Sequence, residues 1–473
     1  MPAKFGTSGL RGLVEDLDNG AAAVHTAAFM RHLKTSGRIA IGDKVYFGQD
    51  LRPSSAELAA KCMAAAENEG LVPIDCGALP TPALALFAMA RTAASIMITG
   101  SHIPADRNGV KFYRPDGEIG KDDEAAISAL VGSFVADSMR PAPDHNPLVE
   151  HDLAIAEFIR RYQGFLPDGA LKGRRIGIYE HSTVIRDVFS KILAPTGAEI
   201  VSLGRSDTFV PVDTEAIETG TRSRIRAWTK RYRLDALISA DGDADRPLLA
   251  DETGECIRGD ALGLVTAGYL EADILVTPVT SNSGIEAGFS GQVHRTRVGS
   301  PYVIAGMTEM ATKGADKIIG FEANGGVLTG SSFQSALAKM PALPTRDCVL
   351  PLLAALASSV RSGNPLSVVF ADHALPVAAN GRIENFPTET SSKLISQLSH
   401  NKTTRADFLE PIGIPSKIDL TDGLRMTLTD GRILHLRPSG NAPEMRIYTE
   451  ALDGAAAGQL VERTEERIRE WTA

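Results

Sequence analysis

Apolar and polar positions change their period repeatedly over the first two-thirds of the chain. Short apolar runs rich in β-branched residues read as strands, and between them apolar positions recur every three or four residues, as on one face of a helix. The first round runs KVYFGQD, an alanine-rich helix opened by Ser54 and Glu57 at capping-box spacing, LVPIDCG, the helix PALALFAMAR and the strand ASIMITG, which delivers the chain to Ser101. The second runs RRIGIYEH, a helix near Ile185 to Leu193, AEIVSLG, a polar helix before Arg233, and LDALISA entering DGDADRP. The third is shorter: ADILVTPVT, a small helix, GQVHRTRVG, a helix before Ala315, and DKIIG entering FEANGGVLTG. Three βαβαβ units each end in a glycine-containing polar loop.

Alternating strands and helices imply mostly parallel sheets covered by helices, with ligands bound beyond the carboxyl ends of the strands. All three polar loops lie there, so three domains can turn them toward one cleft. The tail breaks the pattern. GLRMTLTDGRILHLRPS alternates across Asp430-Gly431 as an antiparallel hairpin, and RPSGNAPEMRIYTEA and the charged helix AGQLVERTEERIREW follow, which predicts an α+β fourth domain. The units place domains at residues 1–146, 147–251, 252–371 and 372–473, with the proline-rich MRPAPDHNPL as the first linker. A length of 473 residues accommodates three or four domains of common size.

Composition narrows the function classes. With 43% hydrophobic and 23% charged residues the chain is ordinary for a globular protein, and a net charge of −9 without long basic runs argues against nucleic acid as its partner. Cys62, Cys76, Cys256 and Cys348 form no Cys-x-x-Cys pair and read as reduced structural thiols. The amino terminus lacks a signal-peptide core and no apolar run is long enough for a bilayer, so a cytoplasmic location without membrane partners is expected.

Candidate chemistry sits in the loops. In ITGSHIPADRNGVKFY, Ser101 and His102 are adjacent, with Lys111 close behind. Neighbours on an extended chain project to opposite sides, so His102 is expected to be badly placed to take a proton from Ser101, and no nucleophile elbow surrounds the serine. DGDADRP sets Asp241, Asp243 and Asp245 at alternate positions, hard oxygen ligands that suit Mg²⁺; a solvated acidic turn is the plain alternative. An EF-hand reading would add Glu252, but Arg246 occupies the position that needs glycine, and a strand precedes the loop. RPSGNAPEMRIY offers Arg437, Ser439, Gly440, Asn441 and Arg446, donors that match a phosphate dianion. FGTSGLRG offers Thr7, Ser8 and Arg11, while Glu322 and Asn324 of FEANGG can meet sugar hydroxyls or cap a turn. Neither nucleotide-binding glycine motif is present, which points to phosphate without a nucleotide, as in a sugar phosphate. Ser101 then reads as a phosphoryl carrier beside a metal, with Lys111 and Arg11 adding positive charge.

Taken in order, KFGTSGLRG, TGSHIPADRNGVKF, DGDADRP, FEANGG and RPSGNAPEMRIY resemble the amino-terminal, phosphoserine, metal, sugar and phosphate loops of the α-D-phosphohexomutase family, and the likeness spans nearly the whole chain. The resemblance implies an α/β fold of three related mixed-sheet domains plus a smaller α+β carboxyl-terminal domain around a central cleft. It implies Mg²⁺ held by phosphorylated Ser101, Asp241, Asp243 and Asp245, and Lys111 assisting proton transfer. His102 matches the family's neighbouring histidine, and Arg246 is assigned with Glu322 and Asn324 to the substrate. The implied reaction interconverts mannose 1-phosphate and mannose 6-phosphate through a hexose 1,6-bisphosphate, which also serves as activator. Glucose phosphates would be accepted and glucosamine phosphate less so; a phosphoglucomutase or a phosphoglucosamine mutase is the alternative, followed by a Mg²⁺-dependent sugar-phosphate phosphatase and, more distantly, a Ca²⁺-binding module. Hexose phosphates are the expected partners, and the chain is expected to act as a monomer or homodimer. Three loops depart from the family pattern: Ile103 replaces an asparagine, Asn441 and Ala442 replace a Thr-Glu pair, and Gly326 stands where many members carry a histidine, which leaves the general base open.

Overall fold

A computed structural model describes residues 3–6, 9–134, 147–334, 339–439 and 443–472. Each of the first three units is built around one strand that is parallel to two neighbours. In the first, Lys44–Gln49 lies between Val72–Ala78 and Ala94–Ile98. In the second, Arg175–Tyr179 lies between Glu199–Leu203 and Ala236–Ala240. In the third, Ile274–Pro278 lies between Gln292–Thr296 and Ile318–Phe321. The helices that cross between these strands start and stop near the positions set by the apolar periodicity, among them Ser55–Asn68, Thr81–Met89, Arg186–Leu193, Thr219–Tyr232 and Ser300–Thr312.

The units do not stop at the polar loops. After each loop the chain returns antiparallel along the strand it has just left: Arg107–Arg114 on Ala94–Ile98, Pro247–Ala250 on Ala236–Ala240, and Val327–Thr329 on Ile318–Phe321. Each polar loop is therefore a hairpin turn pinned by a strand on both sides. Leu10–Leu13 extends the first sheet beyond Arg107–Arg114, Leu148–Val149 pairs with Val72–Ala78, and Leu343–Asp347 pairs with Val327–Thr329 in the third.

The capping box expected at Ser54 and Glu57 does not form. Ser54 precedes the helix with helical backbone angles and its side chain makes no cap bond. Its hydroxyl instead accepts a bond of 2.9 Å from the Asn108 amide, and Glu57 turns to Lys61 at 3.1 Å.

The fourth unit is a five-stranded antiparallel sheet in the order Val377–Ile383, Met445–Ala451, Ile433–Pro438, Leu424–Leu428, Pro415–Asp419. The Asp430-Gly431 turn joins two of these strands, with Thr427 opposite Ile433. One continuous apolar core runs through the first three units and includes Phe87, Phe158, Ile178, Leu264, Phe321 and Leu353. The fourth has its own core, around Leu394, Phe408, Leu436, Ile447 and Leu460. Polar bonds cross to it at a few points: Ser283 N donates to Glu450 at 3.0 Å, Val298 N to Asp422 at 2.9 Å, and the Asn282 amide to Pro376 O at 2.8 Å. Among the described residues no helix is long and apolar enough to cross a membrane. The four cysteines are free thiols.

Candidate active site

Two hairpin turns from different sheets meet at Ser101. Its hydroxyl, buried in the first unit, donates to Asp241 Oδ2 in the second. The serine backbone is left-handed, with φ 55°, and Ala244 in the aspartate loop has φ 58°. Side chains with a Cβ avoid this region, and such strain is characteristic of functional loops. What holds the serine loop is a buried pair, Asp50 and Arg52. Asp50 Oδ2 accepts from the Thr99 hydroxyl at 2.7 Å and from Arg52 Nε at 3.1 Å. The Arg52 guanidinium then donates to four loop carbonyls, those of Ser101, Ile103, Pro104 and Arg107. It lies against Gly100, where an added Cβ would come within 2.5 Å of the guanidinium carbon.

The left-handed serine overturns the expectation that His102 points away. With Ser101 out of the extended region both side chains fall on one side, and Ser101 Oγ lies 3.2 Å from His102 Nδ1. That nitrogen accepts from Arg246 Nη1 at 3.1 Å. Enclosure of the imidazole and the Arg246 charge push His102 down to about 3.

The second turn brings Asp241, Asp243 and Asp245 together, all buried, each with a carboxylate oxygen within 4.8 Å of the others. Thr183 Oγ1 donates to Asp241 O at 2.7 Å, and Thr81 N of the first unit donates to Asp243 O at 2.9 Å. Lys111, on the return strand of the first sheet, donates to Asp243 Oδ2 at 2.5 Å and to Asp245 Oδ2 at 2.6 Å. Burial and the neighbouring aspartates push Asp241 well up. Asp245 is buried too, yet the charges of Arg346, Lys111 and Arg246 hold it well below the usual carboxylate range. Asp243 Oδ1 and Asp245 Oδ1 have no hydrogen-bond partner among the described residues. Buried, unsatisfied carboxylate oxygens are costly, and three of these side chains converging suit a small oxygen-seeking dication. Glu252 stands apart from them and accepts from the Ser367 hydroxyl, which removes the EF-hand reading.

Arg11 donates to Thr99 O, and burial together with Arg246 and Arg52 holds it down to about 10. Thr7, Ser8, Gly440 and Asn441 lie outside the described residues. In the third unit Asn324 caps its own turn, accepting from Gly326 N at 3.0 Å, and its amide is 3.4 Å from Glu322 Oε2. Glu322 is bound instead to Arg346, whose Nη1 donates at 2.8 Å. In the fourth unit Arg437 pairs with Asp422 at 2.9 Å and Arg446 with Glu444 at 3.5 Å, and among the described residues neither joins the aspartate cluster. Ser439 is buried, with its N–H on Glu444 O at 2.9 Å.

Sequence reading missed Asp50, Arg52 and Arg346. Each is charged and almost fully buried, and Arg346-Asp347 interrupts an otherwise apolar run before Val349–Ser362. A charged residue inside such a run is the signal available, since charges are rarely buried unless paired.

Comparison with known proteins agrees across the whole chain. Three models match: phosphoglucomutase/phosphomannomutase alpha/beta/alpha domain I over residues 2–134, alpha/beta/alpha domain III over 258–376, and the C-terminal domain over 389–467. A phosphomannomutase of Sinorhizobium fredii is 53% identical over 462 residues, 98% of each chain. One of Salmonella muenchen is 42% identical over 470 residues, 98% of this chain and 95% of the other. The crystal structure of a phosphoglucomutase/phosphomannomutase family protein from Burkholderia thailandensis superposes with a TM-score of 0.76 at 19% identity, covering 100% of this chain and 98% of that one.

Proposed function

The chain belongs to the phosphoglucomutase/phosphomannomutase family, and we propose that it is a phosphomannomutase that interconverts mannose 1-phosphate and mannose 6-phosphate and also accepts glucose phosphates. The observation that carries this reading is the Ser101 hydroxyl of one unit set against Asp241 of the next, beside a buried lysine and two carboxylate oxygens that have no hydrogen-bond partner among the described residues.

Ser101 Oγ carries the phosphoryl group. A hexose hydroxyl attacks the phosphorus, an O–P bond to the sugar forms as the Oγ–P bond breaks, and the hydroxyl proton returns to Ser101. The resulting hexose 1,6-bisphosphate turns end for end and gives its other phosphoryl group back to the serine. Added hexose 1,6-bisphosphate starts the cycle by phosphorylating an unmodified serine. Mg²⁺, held by Asp241, Asp243, Asp245 and phosphorylated Ser101, would supply neutralising charge to the transferring group. Lys111 stands between Asp243 and Asp245, adds charge beside the reacting atoms and is assigned to proton transfer. Arg246 and His102 are bonded to one another beside Ser101, and Arg11 donates to Thr99 O two residues before it. Glu322 and Asn324 read the sugar, while Arg437, Ser439, Gly440, Asn441 and Arg446 hold the phosphate that is not reacting. The setting we assign is cytoplasmic nucleotide-sugar synthesis.

The test is ³¹P NMR of the purified protein with Mg²⁺, a trace of hexose 1,6-bisphosphate, and mannose, glucose or glucosamine 1-phosphate in separate tubes. Growth of a 6-phosphate signal, fastest with mannose, is expected. Release of inorganic phosphate alone would replace the mutase with a phosphatase.

A further inference from the structure

Arg346 takes no part in the transfer just described, yet it joins the aspartate loop to the sugar loop. It lies on Leu343–Asp347, next to the return strand of the third sheet, with its side chain 3% exposed. Its guanidinium donates to Asp245 Oδ2 through Nε at 3.0 Å and Nη2 at 2.7 Å, and to Glu322 Oε2 through Nη1 at 2.8 Å. Lys111 Nζ adds a bond of 2.6 Å to the same Asp245 oxygen. One oxygen of Asp245 is thus taken by two cationic side chains, and the other, Oδ1, has no hydrogen-bond partner among the described residues and lies 3.7 Å from Arg246 Nε. Glu322 is divided in the same way. Its Oε2 meets the guanidinium and the Asn324 amide, which leaves Oε1 outside these bonds.

The path of the arginine depends on a glycine. A Cβ at Gly326 would come within 2.7 Å of Arg346 Cδ and 2.8 Å of its Cγ. A side chain at 326 and Arg346 in this position exclude one another. The missing histidine and the buried arginine are therefore one feature of this chain.

We propose that Arg346 is a positioning residue: it sets which oxygen of Asp245 is offered to the cation and which oxygen of Glu322 to the sugar, and so fixes the spacing between them. The proposal rests on the reading of Glu322 as a sugar ligand and of the aspartates as cation ligands. A planar fork spans two carboxylates at once, and the single ammonium of lysine does not reproduce it.

Arg346→Lys keeps the charge and loses the span. Mg²⁺ titrated calorimetrically into the sugar-free protein should bind about tenfold or more weakly, the usual cost of losing an outer-sphere partner of a metal ligand. At saturating Mg²⁺ the KM for mannose 1-phosphate should rise more than kcat falls, while the melting temperature stays near wild type. Gly326→Ala, which pushes on the arginine stem without removing a charge, should move both quantities the same way. A folded Arg346→Lys with wild-type Mg²⁺ affinity and wild-type KM overturns the proposal; if that variant does not fold, wild-type values in Gly326→Ala overturn it. Should the wild-type protein turn over no hexose phosphate, the functional reading fails separately, and the Mg²⁺ titration alone decides the Asp245 half.

Discussion

Ser101 combines a left-handed backbone with a hydroxyl that reaches into another domain, and single atoms there carry distinct expectations. Ser101→Ala should abolish transfer of phosphoryl label from hexose 1,6-bisphosphate to the protein, read by intact-protein mass spectrometry. Asp243→Ala removes a partner of Lys111 and one unpartnered oxygen, and it should raise the Mg²⁺ concentration for half-maximal turnover by about tenfold or more. Two buried histidines add a pH dependence to stability. Burial pushes His181 and His435 down to about 4, although each ring bonds a backbone carbonyl, those of Ala240 and Asp422. Between the ordinary histidine value and about 4 the unfolded chain binds protons that the folded protein refuses. Stability is therefore full above the ordinary value and falls as pH drops toward 4, by about 1.4 kcal/mol per unit of pKa difference for each ring. Urea titrations from pH 7 to pH 4.5 should show the decline, and His435→Asn should flatten it.

At the scale of elements, the crossing helices and parallel strands were legible because burial on both faces writes itself as short apolar runs. The return strands were not. Arg107–Arg114 carries three basic residues, and Lys111 is buried only because two aspartates of another domain meet it, a fact no local window contains. Arg52 and Arg346 escaped notice for the same reason. The relation of Ser101 to His102 was misread because an extended backbone is the default for a serine, and only the turn imposes the left-handed one. The aspartate spacing, by contrast, was legible outright, since alternate positions on a tight turn leave little freedom. Arg52 shows how much one such hidden charge holds. It and Asp50 are wholly buried, so Arg52→Ala strands a carboxylate and frees four carbonyls of the serine loop. A loss of about 3–5 kcal/mol in chemical denaturation is expected, as for other broken buried pairs.

For the molecule as a whole, the distribution of apolar interior sets how it comes apart. One core runs through the first three units, each of which also packs a smaller cluster of its own, and the fourth unit keeps a separate core. Scanning calorimetry should resolve two transitions, with the smaller assigned to the fourth unit. Glu450→Gln, which weakens the link to Ser283, should loosen that unit and raise the KM for hexose phosphate with little effect on the larger transition. The shared interior also limits how such a protein can be recombined. A crossover within the first three units would mate unrelated halves of one packed surface, whereas a crossover just ahead of Val377 cuts where the interior ends. Chimeras that graft the fourth unit of one relative onto the body of another should fold, which makes that unit an exchangeable cassette and the rest an indivisible chassis.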